Sequence, residues 1–227
     1  MPRDAILRND DIKIYFMENL DQYILANTKP EEELMRRLER ETYLRVINPR
    51  MISGHLQGKL LEMLVRMMRP KRVLEIGTFT GYSALSIARG LEDGAYIDTI
   101  EVDDELEEIA AKYFEASEYG HRIRQHVGSA LDVVPQLGEV YDMVFIDGDK
   151  REYPAYYNML MDGGYVRSGS VLLADNILWY GKVVQSVAHN DLHTQALIEF
   201  NRKVREDERV ESVILPLRDG INIIRVK

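Results

Sequence analysis

Apolar residues recur along this chain at two intervals, and the change from one to the other falls near residue 72. Over residues 11–46 charged side chains alternate with apolar ones at helical spacing, Leu34, Leu38, Tyr43 and Leu44 among them. Thr28 stands just ahead of Pro30 and three consecutive glutamates, Glu31 to Glu33. Those residues suit the positive end of a helix dipole, so the pattern predicts a helix beginning there. In "SGHLQGKLLEMLVRMMRP", Leu60, Leu61, Leu64, Val65 and Met68 share one helical face, Pro70 marks the exit, and the methionines read as core filler.

Beyond residue 72 short apolar runs alternate with helical segments. "RVLEIG", "YIDTIEV", a run near "IRQHV", "YDMVFID" and "SVLLAD" read as strands. Helices are expected in "GYSALSIARGL", "DELEEIAAKYFEAS", around "ALDVVPQL", from about 151 to 161, and in "HTQALIEFNRKVRED". That alternation predicts an α/β fold with a mainly parallel sheet covered on both faces. The tail "VESVILPLRDGINIIRV" departs from it, since two β-rich runs joined through "RDG" read as an antiparallel hairpin closing the sheet edge. No repeat, low-complexity stretch or Gly/Ser linker divides the chain, so residues 1–227 are expected to form a single domain, with 1–50 a helical extension within it.

A formal net charge of −9 argues against general attraction to nucleic-acid backbones or anionic membranes. The absence of cysteine removes disulfides, thiolate metal sites and cysteine nucleophiles, so any metal must be held by oxygen or imidazole. "MPRDAILRNDDIKIYF" lacks the apolar centre of a signal peptide, and no stretch approaches the roughly 20 apolar residues of a membrane span. A cytoplasmic location is the expectation.

"LEIGTFTGYSAL" is a strand, a glycine-bearing turn and a helix. Gly77 and Gly81 let a ligand approach the backbone, but they lack the GxGxxG spacing of a dinucleotide cradle. Glu75 sits inside the strand end, where an anion needs donors or a cation. Glu101 closes the next strand, where a carboxylate can accept both hydroxyls of a ribose. The plainer alternative is a tight turn with a solvated acid. Taken with "VGSA" after the third strand, these features resemble the S-adenosylmethionine site of class I methyltransferases. That resemblance implies a Rossmann-like, seven-stranded, mostly parallel sheet whose last strand is inserted antiparallel. Relatives more often carry an acidic or amide residue where Ser129 stands, so only Ala130 is carried over from this segment.

"VFIDGDKREY" places Asp147, Asp149 and Lys150 at the mouth of an apolar strand, and "LLADNILW" places Asp175 and Asn176 at the end of the next. If those strands are neighbours, two carboxylates and an amide oxygen converge beyond the carboxyl ends of a sheet, where ligands gather. Such hard donors suit Mg²⁺, Ca²⁺ or Mn²⁺. The same acids could instead cap the helices that follow.

The pair "DGDK" and "ADN" resembles the cation-dependent O-methyltransferases related to catechol and caffeoyl-CoA O-methyltransferase, and "ILWYGKVV", "FNRKVREDERVES" and "LPLRDGINI" extend the likeness from about Met51 to the C-terminus. By that resemblance Asp147, Asp175 and Asn176 bind the divalent cation, Mg²⁺ before Ca²⁺ or Mn²⁺, and Lys150 is the general base. Met51, Glu75, Gly77, Ser83, Glu101, Val102, Ala130 and Asp147 contact S-adenosylmethionine. Asp149 matches a position near substrate and cation without ligating the metal. The implied reaction is methylation of a hydroxyl on a catechol-like or other vicinal-oxygen small molecule. The alternative is methylation of a 5-hydroxyuridine in tRNA by the same chemistry, for which the net charge is unfavourable. A metal-dependent hydrolase would leave Glu75, Glu101 and the glycine turn without a task. Relatives are commonly dimers, so a homodimer is expected.

Other conspicuous residues receive plainer readings. Trp179 could pack as a lid or stack on substrate, the five histidines show no metal-ligand spacing, and "RPKR" at 69–72 reads as a solvated helix exit.

Overall fold

The computed structural model describes residues 20–227; expectations for residues 1–19, including the character of the N-terminus, lie outside that range. One seven-stranded sheet runs β3-β2-β1-β4-β5-β7-β6. Its strands are β1 (Arg72–Ile76), β2 (Tyr96–Glu101), β3 (Ile123–Val127), β4 (Tyr141–Ile146), β5 (Val166–Ala174), β6 (Val210–Leu215) and β7 (Ile221–Val226). The first five pair in parallel. β7 enters antiparallel between β5 and β6, as the tail predicted. β1 is buried at every position after Arg72, the signature of a strand covered on both faces, whereas β6 is largely exposed, as an edge strand must be.

Alternate residues feed two apolar layers. Leu74 and Val144 join Tyr153, Tyr157 and Phe200 on one face, while Val73 and Phe145 join Leu61, Leu85 and Ile87 on the other. Helices α1 (Glu33–Arg45), α2 (Gly54–Met68), α3 (Tyr82–Gly90) and α4 (Glu107–Glu115) supply the second layer. Helices α5 (Ala130–Leu137), α6 (Tyr153–Asp162) and α7 (Leu192–Glu206) supply the first. α2 and α3 meet closely because residue 58 is glycine: a Cβ there would lie 2.6 Å from Ser86 Oγ.

The N-terminal helical pattern differs from expectation in two respects. Thr28 closes helical residues 20–26, its hydroxyl donating to the Ile24 carbonyl at 2.7 Å, and α1 starts only at Glu33. The buried stripe of α1 is Met35, Leu38 and Thr42, while Tyr43 and Leu44 are 53% and 74% exposed. Thr42 takes the inward position because its hydroxyl is satisfied by Thr80 at 2.9 Å and by the Leu38 carbonyl.

The order of strands sets the site. The chain leaves β1 towards β2 on one side and returns to β4 on the other, so the crevice beyond the carboxyl ends of β1 and β4 is the topological switch point.

Candidate active site

Backbone pairing continues past the strand ends and aligns the residues that follow them. Asp147 N–H donates to the Ile76 carbonyl at 2.8 Å, and Asp175 N–H to the Ile146 carbonyl at 3.0 Å. Gly77, Asp147 and Asp175 therefore stand in adjacent registers. Gly77 must be glycine: its φ is +102°, and a Cβ would lie 2.5 Å from the Asp147 carbonyl oxygen.

A cavity of about 1620 Å³ opens above this row. Asp147, Lys150, Asp175 and Asn176 line it, as do Gly77, Ser83, Glu101 and Val102, with Ala130 from the start of α5 and Met51 from the turn Pro49–Met51. Of the residues that the resemblance assigns to the cofactor or the cation, Glu75 alone is absent from the wall. It is fully buried behind the turn, where Thr99 Oγ1 donates to its Oε2 at 2.5 Å. Among the described residues its Oε1 has no hydrogen-bond partner. Burial pushes the Glu75 carboxyl up to about 8, opposed by the nearby hydroxyls of Ser83 and Thr99; Ser83 favours the charged form by proximity without completing a hydrogen bond to Oε1. The link to the cavity runs through Thr99 and Thr78, whose hydroxyls are 2.6 Å apart.

Glu101 is fixed at the rim by three backbone donors: Phe79 N–H on Oε2 at 2.7 Å, and Val102 and Asp103 N–H on Oε1 at 2.9 and 3.1 Å. With two donors on Oε1 and one on Oε2, the carboxylate keeps acceptor capacity on Oε2 for a ribose hydroxyl.

The charged centre is tightly organised. Buried Lys150 donates from Nζ to Asp147 Oδ1 at 2.6 Å and to Tyr153 Oη at 3.0 Å. Tyr153 Oη lies 3.0 Å from both the Ile146 and Asp175 carbonyl oxygens, tying the ends of β4 and β5 together. Burial keeps that phenol neutral far above its ordinary range. Asp175, 2% exposed, accepts from Gln57 Nε2 at 2.6 Å on Oδ2 and from Asn176 N–H at 2.7 Å on Oδ1. Burial and then the negative charge of Asp147 raise the Asp175 carboxyl above the usual carboxylate range, against the pull of Gln57, Lys150 and Asn176 N–H.

Helix capping, the plainer role for these acids, falls to Asp149, which accepts from Arg151 N–H at 2.9 Å at the start of the turn Lys150–Glu152. Asp147 and Asp175 are left facing one another's charge in a buried crevice, a repulsion that a divalent cation would relieve. The donor set fits a hard cation in kind. Among the described residues no three His, Cys, Asp or Glu side chains are grouped to hold a metal, so the site would depend on the Asn176 amide and on oxygens from outside the protein.

The histidines divide. His126 pairs with Asp98 at 2.8 Å, and His55 and His121 meet backbone carbonyls. His193 differs from these in position. It lines the cavity, stacks on Trp179 with centroids 5.8 Å apart and planes at 16°, and places Nε2 3.9 Å from Asp149 Oδ1. Trp179 and His193 therefore form one aromatic wall of the crevice, a contact that residues 14 apart on different elements give no local signal for. The basic run at 69–72 is engaged in exposed ion pairs with Glu92 and Glu139, in keeping with a solvated helix exit.

Comparison with known proteins places this geometry among relatives. A sequence family described as O-methyltransferase matches residues 25–227. The chain is 32% identical over 219 residues to caffeoyl-CoA O-methyltransferase of Petroselinum crispum, covering 91% of this chain and 90% of that protein. The crystal structure of the O-methyltransferase TomG from Streptomyces achromogenes, involved in tomaymycin synthesis and solved with SAM, superposes with a TM-score of 0.85 at 29% identity, covering 92% of this chain and 96% of that one. That of the Bacillus cereus O-methyltransferase in complex with SAH gives 0.83 at 28% identity, covering 92% and 97%.

Proposed function

Because the chain belongs to the O-methyltransferase family and is an S-adenosylmethionine-dependent enzyme of the caffeoyl-CoA O-methyltransferase type, we propose that it methylates one hydroxyl of a catechol-like small molecule with the help of a divalent cation. The observation that carries this reading is the convergence of Asp147, Lys150, Asp175 and Asn176 at neighbouring strand ends, inside the cavity that Glu101 rims.

In this reading Asp147, Asp175 and Asn176 hold the cation, Mg²⁺ first by the chemistry of the donors. Glu101 takes the ribose hydroxyls, Val102 and Ala130 flank the adenine, and Met51, Gly77, Ser83 and Asp147 line the methionine portion, with Glu75 acting from behind the turn. When bound, S-adenosylmethionine supplies the methyl group, and the cation supplies positive charge that makes an acceptor hydroxyl more acidic and holds two adjacent oxygens. Lys150 Nζ receives the hydroxyl proton. Asp147 and Tyr153 fix that nitrogen from two directions, so the base is positioned before the acceptor arrives. Trp179 and His193 present a flat face suited to an aromatic acceptor.

Residues 1–227 are proposed to work as one methyltransferase domain in the cytoplasm. Exposed Leu20, Tyr23, Leu44 and Ile47 on the N-terminal extension support association of two copies; light scattering after gel filtration tests it. Among the described residues no helix is long and apolar enough to cross a membrane.

The test of the acceptor class compares labelled methyl transfer to a 1,2-dihydroxybenzene carboxylate with transfer to its monohydroxy analogue. Transfer to the diol alone supports the reading. Equal transfer to both removes the chelating acceptor. Labelling of tRNA with steep salt dependence, and of neither phenol, would move the assignment to the nucleic acid.

A further inference from the structure

Asp175 is oriented by a side chain that the mechanism has not used. Gln57, fully buried on α2, donates from Nε2 to Asp175 Oδ2 at 2.6 Å. Its Oε1 accepts from Arg218 Nη1 at 3.1 Å. Arg218 lies in the connection between β6 and β7 with φ +50°, a conformation a non-glycine residue holds only where its surroundings fix it. The same guanidinium donates from Nη2 to the Ile52 carbonyl at 3.0 Å and from Nη1 to the Ser53 carbonyl. Ile52 and Ser53 directly follow Met51, on the cavity wall.

The chemistry of this chain of contacts has a single polarity. A carboxylate only accepts and a guanidinium only donates, so the amide between them must turn its NH₂ to Asp175 and its oxygen to Arg218. An arginine placed directly on Asp175 would form a charge-assisted pair and compete with a cation for the same oxygens. The amide supplies a hydrogen bond to a buried carboxylate without supplying a charge. Without it Oδ2 would lose its donor in a nearly dry site.

We propose that Gln57 and Arg218 form a positioning relay for the cation site: Gln57 sets the orientation of the Asp175 carboxylate, and Arg218 fixes Gln57 while anchoring the Ile52–Ser53 segment behind Met51. The inference rests on the reading of Asp175 as a cation ligand. Arg218 reaches the cavity wall, but neither residue has a part in the proposed proton or methyl transfer, so their loss should lower affinity for the cation and leave the chemical step intact.

The experiment measures Mn²⁺ binding by electron paramagnetic resonance, without acceptor, for the parent protein, Gln57→Met and Arg218→Met, with thermal unfolding as a check on folding. Methionine matches the length of glutamine but cannot donate. Q57M is expected to bind Mn²⁺ about 10- to 100-fold more weakly. R218M, which leaves the amide donor in place, should show a smaller loss in the same direction. At saturating Mg²⁺ the turnover number of both variants should return to the parent value, with the change confined to the Mg²⁺ concentration for half-maximal rate. A variant merely weakened in folding would not show that separation. Parent-like Mn²⁺ affinity in folded Q57M overturns the relay, and if Q57M does not fold, parent-like affinity in R218M does so. Absence of Mn²⁺ binding by the parent overturns the cation reading itself, and this inference with it.

Discussion

Replacing Glu75 with glutamine should stabilise the ligand-free protein, and more strongly as pH rises. Glu75 is fully buried with one hydroxyl donor on Oε2 and none on Oε1, and burial lifts its carboxyl from an ordinary 4.5 to about 8. A carboxyl whose proton affinity is raised by folding binds protons more tightly in the native state than in the unfolded chain. Its contribution is therefore fully present below pH 4.5 and is lost as pH climbs towards 8. With each tenfold change in proton affinity worth about 1.4 kcal/mol, the ceiling on that loss is about 5 kcal/mol. Relaxation of the surroundings should bring the measured figure to about 1–3 kcal/mol. Glutamine reproduces the neutral acid, with one end accepting from Thr99, and has no charge to bury. The assay is urea unfolding of the parent and Glu75→Gln at pH 5 and pH 8.5 without S-adenosylmethionine. The stability of E75Q relative to the parent should increase between the two by at least about 1 kcal/mol. An equal difference at both pH values would refute the reasoning, since it would mean that the carboxyl is not held neutral by its site.

Further outcomes follow from the same geometry. Lys150→Ala should reduce turnover by about 10²- to 10⁴-fold while S-adenosylmethionine affinity by calorimetry stays close to the parent value; an unchanged turnover number would remove Lys150 from the chemistry. Asp175→Asn removes a buried charge and its repulsion with Asp147 but turns an NH₂ towards a donor, Gln57 Nε2 or Asn176 N–H, so in the folded variant Mn²⁺ affinity should fall at least about tenfold; binding of Mn²⁺ like the parent would contradict the assignment. Gly77→Ala forces a Cβ to 2.5 Å from the Asp147 carbonyl oxygen at φ +102°, which should cost about 1–3 kcal/mol of stability and displace Asp147; wild-type activity and melting temperature in this variant would show that the turn can move freely.

The sheet was legible because its residues carry local signals. The short, mainly apolar runs of β1 and β4, helical spacing between strands, and the hairpin at the C-terminus each report their own environment. Asp147, Asp175 and Asn176 were legible as a set for the same reason: each immediately follows a recognisable strand, and parallel pairing of β4 with β5 does the rest. What escaped depends on registers no local window contains. Gln57 and Arg218 are 161 residues apart, and Gln57 reads locally as one polar position on an amphipathic helix. Tyr153 is a core aromatic whose hydroxyl also holds Lys150, a contact that its place in the sequence does not signal. His193 gains its place only through the fold of the segment carrying Trp179. Tyr43 and Leu44 share the helical spacing but lie exposed, and the inward position went to Thr42, whose hydroxyl finds a partner in Thr80.

The central claim is that two carboxylates and an amide at the ends of β4 and β5 hold a divalent cation required for methyl transfer. The most direct measurement follows transfer of labelled methyl from S-adenosylmethionine to a dihydroxybenzoate, first with EDTA and then with Mg²⁺ restored in excess. The account predicts no transfer with EDTA and full recovery on adding Mg²⁺. Transfer at the same rate in both conditions would contradict it.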